Sequence, residues 1–150
     1  MTTHRSPIFA LSDSYVEKSA RLSPMSSTYL GLTELNDQLD DFSIAGRAVE
    51  ADLTRATLAE LDKLEPIDEI DRVAKSVMQE RLTSSLQLHD SFESHISFNV
   101  LTSPPADIRQ VFEMMPRESD EDFANIAKRL LAVEKAHLSW ISTIDTLAQK

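Results

Sequence analysis

Apolar residues between Asp68 and His95 recur at steps of three and four positions, which predicts one long amphipathic helix of about 40 Å. Side chains at this spacing lie on one face of a helix. Carboxylates crowd the expected first turn, where they suit the positive end of the helix dipole. We expect other helices to cover the stripe, because it is too wide to be left in water. Its members are Ile70, Val73, Ala74, Val77, Met78, Leu82, Leu86, His89, Phe92 and Ile96.

The segment before this helix predicts three more helical elements. Ser6-Pro7 is typical of an N-cap and first helical residue, and the helix runs to about Arg21. Ser23-Pro24 opens a very short helix, which Gly31 closes as a left-handed residue. Ser43 starts a helix that stops before Pro66 and forms an antiparallel hairpin with the long helix. We expect its inward residues to be Val49, Leu53, Ala56, Leu61 and Leu64.

Two helices are predicted after the long one. A short helix covers about Ala106 to Met115, and Ser119 caps a last helix with Asp122 in the capping-box position. We expect the stripe of the last helix to be Phe123, Ile126, Ala127, Leu130, Val133, His137, Ile141, Ile144 and Ala148, flanked by Trp140. The run Ile96–Leu101 alternates weakly, so both an extended and a helical conformation stay open there.

Together these elements predict an all-α fold, a bundle or array of about four sizeable helices plus two short ones. Residues 1–150 form a single helical region, since this length suits one domain. The chain lacks cysteine, which excludes disulfides, thiolate chemistry and cysteine-based zinc sites.

The net charge of −10 is concentrated in the segment Glu34–Asp71. This segment holds twelve acidic and three basic residues, so it carries −9 and the rest of the chain carries −1. An acidic chain without a basic stripe is a poor nucleic-acid binder, and anionic membrane surfaces repel it. No apolar run approaches the ~18 residues of a membrane span, and the N-terminus lacks a signal-peptide core. We therefore expect a cytoplasmic protein.

The histidines give only a weak metal hypothesis. Two histidines on facing helices with nearby glutamates could hold a metal in a bundle, and the candidates are His89, Glu93, Glu134 and His137. The Glu-x-x-His spacing of such sites occurs once, at Glu134–His137. The favoured interpretation is that these histidines are hydrogen-bonding core or rim residues, so no catalytic, cofactor-binding or metal residue is predicted.

The loop 37–41 places three carboxylates close together, which hard cations prefer as ligands. The loop lacks the alternation and the central glycine of a calcium hand. The favoured interpretation is a solvated loop whose Asp and Ser residues cap the next helix.

Two blocks of sequence resemble a bacterial family known as domain of unknown function 885. The first block is Ser23–Gly31, followed by Asp37, Leu39, Asp41, Phe42 and Ser43, and the second is Asn99–Pro104 with Ile108–Pro116. The resemblance covers nearly all of the chain. It implies a largely helical protein of several hundred residues, similar in build to helical zinc peptidases with a deep cleft. The zinc-binding His-Glu residues of that family lie far toward its C-terminus, so no ligand can be assigned to this chain.

The resemblance implies a non-catalytic N-terminal scaffold, or one wall of a cleft, of a zinc-metallopeptidase-like protein. The expected partner is the rest of such a protein, or a second copy bound through an exposed apolar face containing Trp140, Leu138 and Leu147. The alternative is a stand-alone interaction module that uses the acidic Glu34–Asp71 face or the Trp140 face. A small metal enzyme built on the four candidate ligands is a third possibility. Substrate, oligomeric state and whether the chain is complete stay open.

Overall fold

The structure, a computed structural model, describes residues 6–96, 98, 99, 101 and 103–149. The described residues form six helices and no strand. Four are sizeable and two are short, which confirms the all-α prediction. The helices are α1 (Pro7–Leu22), α2 (Pro24–Tyr29), α3 (Ile44–Leu61), α4 (Glu69–Asp90), α5 (Pro104–Met114) and α6 (Asp120–Ala148).

The predicted helix starts are confirmed by capping hydrogen bonds. Ser6, Ser23, Ser43 and Asp68 each accept a backbone N–H from the residue three positions later. Ser119 and the residue three positions later form the complete capping box. Each bond satisfies a backbone donor that has no partner inside the helix.

Helices α1, α3 and α4 pack around one apolar core. Helices α3 and α4 run antiparallel, because Arg55 pairs with Asp90 at one end and Asp62 accepts from Gln79 toward the other. The core residues are Ile8, Leu11 and Leu61, with Leu64, Ala74 and Met78 packed against them.

A second core lies between α2, α5, α6 and the loop that precedes α3. Its buried residues are Met25, Phe42, Ile108, Val111, Ala136 and Trp140. The hydroxyl of Thr143 on α6 also donates to the Phe42 carbonyl (3.0 Å), which joins α6 to the loop.

The long helix is shorter than predicted. Helix α4 ends at Asp90 after 22 residues, a length of ~33 Å, and not at His95. Phe92 has a left-handed backbone (φ 62°), which ends the helical path. Beyond it, residues 96, 98, 99 and 101 form no helix or strand, while Ser97 and Val100 lie outside the described residues.

The prediction that other helices cover the α4 stripe was wrong for one side of it. Ile70, Val73 and Val77 are 60%, 54% and 53% exposed. Helices α1 and α3 contact the neighbouring side, where Leu82 is buried. The stripe is wider than the surface that two helices can cover, so its edge remains in solvent.

The inward faces of α3 and α6 also differ from the prediction. In α3 the buried residues are Ala51, Thr54, Thr57 and Leu61, while the predicted Val49 is 52% exposed. In α6 the buried residues are Arg129, Ala136, Trp140 and Thr143. Apolar periodicity missed both faces because polar residues occupy part of each one.

The expectation of an exposed Trp140 was therefore wrong. Its indole is 6% exposed, and its Nε1 donates to the His95 carbonyl (3.3 Å). Leu138 is exposed as expected, and Leu147 is half-buried. The exposed apolar residues of α6 lie outside its buried face.

Candidate functional site

A polar cleft of about 310 Å³ lies between α1, α3 and α4, next to the start of α2. Its charged side chains are Asp40, Arg47 and Glu50. Leu22, Leu53, Leu86 and Leu88 supply apolar wall. Seven hydroxyl side chains also line it, those of Tyr15, Ser19, Ser23, Ser26, Thr54, Ser85 and Ser94.

Asp40 reaches the cleft from the loop before α3. Its Oδ1 accepts the backbone N–H of Met25 (2.9 Å), and its Oδ2 accepts the hydroxyl of Ser23 (2.8 Å). These bonds hold the carboxylate at the N-terminus of α2. Burial raises the pKa of Asp40, while the two hydrogen bonds and the charges of Arg47 and Arg129 act in the opposite direction.

Glu50 and Arg47 lie one turn apart on α3. The Nη1 of Arg47 donates to Oε2 of Glu50 (3.3 Å), and the guanidinium also lies 5.1 Å from the centre of the Phe42 ring. Burial raises the pKa of Glu50, the charge of Arg47 lowers it, and the charge of Asp40 raises it. The cleft thus holds two desolvated carboxylates and one guanidinium.

Tyr15 and Thr54 close the cleft between α1 and α3. The phenolic oxygen of Tyr15 lies 3.3 Å from the hydroxyl of Thr54. Thr54 also donates to the carbonyl of Glu50 (3.0 Å). This arrangement fixes the tyrosine ring against the turn of α3 that carries Glu50.

Two histidines meet at the far end of the cleft. His89 lines the cleft, and its ring centre lies 4.8 Å from that of His95. His95 is 3% exposed, and its Nδ1 lies 3.2 Å from the Ser94 hydroxyl. Its Nε2 is buried and has no hydrogen-bond partner among the described residues. Burial lowers the pKa of His95, and the charges of His89 and Arg47 act in the same direction.

Arg129 of α6 lies behind α2 and is fully buried. Both terminal nitrogens donate to the Thr28 hydroxyl (3.0 Å), and Nη2 also donates to the carbonyls of Leu35 (3.0 Å) and Pro24 (3.4 Å). Thr28 in turn donates to Asn36 Oδ1 (2.8 Å). Burial lowers the pKa of Arg129, whereas the charges of Asp40 and Asp37 raise it. Arg129 therefore ties α6 to α2 and to the loop that carries Asp40.

The four candidate metal ligands lie in different surroundings. His89 lines the cleft, Glu93 and Glu134 are exposed, and His137 is half-buried on α6. Across the part of the chain that the structure describes, no three or more His, Cys, Asp or Glu residues are grouped as a metal site.

The three carboxylates of the loop 37–41 point to separate partners. Asp40 caps α2, Asp41 accepts the Ser43 N–H (2.9 Å), and Asp37 pairs with Lys128 (3.8 Å). The Ser43 cap and the Asp41 contact at the start of α3 agree with the capping interpretation, whereas Asp40 is largely buried and bonds the start of the preceding helix α2.

Sequence patterns did not single out the cleft, because its residues come from segments far apart in the chain. The roles of Asp40, Arg47, Glu50 and Arg129 were all missed. One available signal was the spacing 129, 133, 136, 140, 143, 147, which places Arg129 on the same helical face as Trp140.

The family model described as "Bacterial protein of unknown function (DUF885)" matches residues 24–150. The match begins at the first residue of α2 and covers most of the chain, so the chain belongs to this family. This confirms the family resemblance. A search of curated proteins found no match. None of the helices among the described residues has the length and apolar character to cross a membrane.

Proposed function

We propose that this DUF885 protein segment is a non-catalytic, cytoplasmic helical scaffold, one wall of a larger cleft. In this proposal, the exposed side of α6 packs against further helical sequence of a zinc-metallopeptidase-like protein. The proposal combines the family membership with one observation, the apolar outer face of α6.

The outer face of α6 consists of five exposed residues that lie outside the buried face of this helix. Leu131 is 85% exposed and Leu138 is 57% exposed. Single exposed apolar residues are ordinary, but several on one face of one helix are typical of an interaction surface. The five residues are Phe123, Leu130, Leu131, Leu138 and Ile141.

The described residues do not fit a zinc site of their own. The candidates His89, Glu93, Glu134 and His137 are not grouped with one another, and no other metal-binding group occurs among the residues described. In this proposal, zinc ligands come from further sequence of a longer family member. The proposed scaffold role requires no metal bound by the described residues.

The alternative of a stand-alone interaction module has less support. Trp140 is buried, so it offers no contact surface. Of the twelve acidic residues in the acidic segment, Asp71 is fully buried, and Asp40 and Glu50 line the cleft. The acidic surface is thus weaker than the sequence predicts.

Sedimentation velocity of the 150-residue chain over a range of concentrations tests the scaffold proposal. We expect reversible association without a fixed stoichiometry, because an uncovered apolar face has no geometrically matched partner. Leu131→Gln should reduce this association at least ~10-fold, since it removes the most exposed apolar side chain of the face.

Ala59→Gln is the matched control, because Ala59 is an exposed helical residue on α3 and the substitution adds the same amide. It should leave association unchanged. A monomer at all concentrations would contradict the proposal, and so would a closed dimer, which would identify a second copy as the occupant of the face. Elemental analysis that finds one tightly held zinc per chain would also contradict it.

A further inference from the structure

The polar cleft carries an unbalanced negative charge. Asp40 and Glu50 contribute −2 and Arg47 contributes +1, so the lining carries −1 when histidine is counted as neutral. Outside the lining, the charge of Asp41 acts on Glu50 and the charge of Arg129 acts on Asp40, so these two nearby charges offset each other. A bound anion would be repelled, whereas one positive charge on a ligand would balance the lining.

The carboxylates suit an organic cation better than a metal ion. Oxygens of Asp40 are already bonded to Met25 and Ser23, and the Oε2 of Glu50 is bonded to Arg47. Oε1 of Glu50 makes no hydrogen bond among the described residues, so one strong acceptor remains for a ligand donor. Within the same residues, the acidic side chains of the cleft form no group that could hold a metal ion. A primary ammonium group, with three donors, can bond to acceptors that lie apart.

The hydroxyl groups of the cleft define the rest of the ligand. Seven side chains of its lining carry a hydroxyl group. Ser19 and Ser85 make no side-chain hydrogen bond among the described residues, so both can bond to a ligand. Tyr15 and the leucine side chains offer apolar contact to a ring or carbon chain. Sites for small molecules combine such apolar walls with a few placed polar groups.

We infer that the polar cleft binds a small molecule with one primary ammonium group on a hydroxyl-bearing skeleton, the chemistry shared by amino sugars and amino alcohols. The ammonium group lies at Glu50, near Asp40, and the hydroxyl groups of the ligand bond to the serines of the lining. The cleft volume of about 310 Å³ accommodates a single sugar ring. This inference is independent of the outer face of α6.

Titration calorimetry of the full 150-residue chain with D-glucosamine tests it. We expect glucosamine to bind at least about tenfold more tightly than D-glucose or methylammonium at equal ionic strength, because each of these lacks one half of the required chemistry. Equal affinity for glucose, equal affinity for methylammonium, or no saturable binding of glucosamine would each overturn the inference. Ethanolamine distinguishes the two classes of ligand, because a site for amino sugars prefers glucosamine, whereas a site for amino alcohols binds both compounds.

Two substitutions with opposite expected effects locate the ammonium group. Glu50→Gln should weaken glucosamine binding at least about tenfold, because the ion pair between the ammonium group and the carboxylate becomes a hydrogen bond to an uncharged amide oxygen. Arg47→Gln should strengthen the binding, because the lining then carries −2. Glu60→Gln is the matched control, since Glu60 is an exposed glutamate on the same helix.

Circular dichroism confirms that each variant retains its helices. Equal affinities for Glu50→Gln and Glu60→Gln would overturn the inference. If Glu50→Gln loses its helices, Arg47→Gln decides the matter, because weaker or unchanged binding in that variant overturns it.

Discussion

The two cores of this protein are stabilised by different interactions. The core between α1, α3 and α4 is built from apolar side chains such as Ile8 and Leu61. The core between α2, α5 and α6 adjoins a fully buried guanidinium, that of Arg129, with its hydrogen-bonded partners. The first half also buries polar groups, such as the carboxylate of Asp71 on α4, but among the described residues a fully buried guanidinium occurs only in the second half.

The difference follows from the secondary structure of each half. Helices α1, α3 and α4 satisfy most of their backbone groups internally, so their contacts can be apolar. Helix α2 has only six residues and is followed by a loop without regular hydrogen bonding. Arg129 adds a donor from α6 to the carbonyls of Pro24 and Leu35, which also accept the Thr28 hydroxyl and the Gln38 N–H, respectively.

Among the substitutions that test this difference between the two halves, Arg129→Met should have the largest effect. It should lower the free energy of unfolding by about 4 kcal/mol. The methionine fills part of the space but leaves the buried hydroxyl oxygen of Thr28 without a donor, and the Leu35 carbonyl keeps only the Gln38 N–H. Urea denaturation measures the loss. Lys128→Met, an exposed position on the same helix, should change stability by less than about 0.5 kcal/mol. A loss below 1 kcal/mol for Arg129→Met would mean that the network contributes little.

Leu61→Ala tests the apolar half. Leu61 is fully buried, so the substitution leaves a cavity and should lower the free energy of unfolding by about 3 kcal/mol. Leu130→Ala on the outer face of α6 is the control, because Leu130 is 55% exposed and should lose less than about 0.5 kcal/mol. Urea denaturation measures both losses of unfolding free energy. Similar losses at the two positions would show that the exposed fraction of each side chain does not predict its contribution to stability.

Gly46→Ala should lower the free energy of unfolding by about 2 kcal/mol, although alanine favours helices. A Cβ at this position of α3 would overlap the Asp41 carbonyl oxygen, so the loop must shift. Gly31→Ala provides the comparison. Gly31 has φ +78° and free space around it, so only the cost of the left-handed backbone, about 1 kcal/mol, is expected. Thermal unfolding ranks the two variants, and the reverse order would refute the close approach of loop and helix.

The smallest expected effect is the pH dependence of stability due to His95. Because its pKa is below the ordinary value of 6.5, its contribution to stability is complete above pH 6.5 and is lost as the pH falls toward the lowered pKa. In this pH window the free energy of unfolding changes by at most about 1.4 kcal/mol per pH unit. His95→Gln should remove this contribution to the pH dependence of stability. Urea midpoints of the variant and of the unsubstituted chain, measured between pH 7.5 and 5.5, test this expectation.

Ala59→Gln is the control for this series, because it adds the same side chain at an exposed position of α3 without removing a titratable group, and it should leave the pH dependence unchanged. The comparison with the unsubstituted chain matters because Asp40 and Glu50, with raised pKa values, contribute in the opposite sense at lower pH. An identical pH profile for His95→Gln and the unsubstituted chain would refute the assignment to His95.

Several features could be predicted from sequence because they depend on a few neighbouring residues. Helix starts at Ser6, Ser43 and Ser119 follow from a hydroxyl that bonds a backbone N–H three positions later. The left-handed Gly31 follows from glycine's lack of a Cβ atom. The end of α4 could not be predicted, since Phe92 adopts a left-handed backbone that its side chain disfavours.

The sequence by itself determined the all-α class, the order of the helices and most of their caps, because these depend on interactions within a few residues. Only the tertiary structure decided which face of α6 is buried and where the polar cleft lies. Arg129 can be buried only because Thr28, about a hundred residues earlier, presents its hydroxyl, and no local pattern contains that pairing. Asp40 and Glu50 likewise meet only after α1, α2 and α3 have packed. Burial of a polar group depends on its distant partners, whereas helix formation depends mainly on near ones.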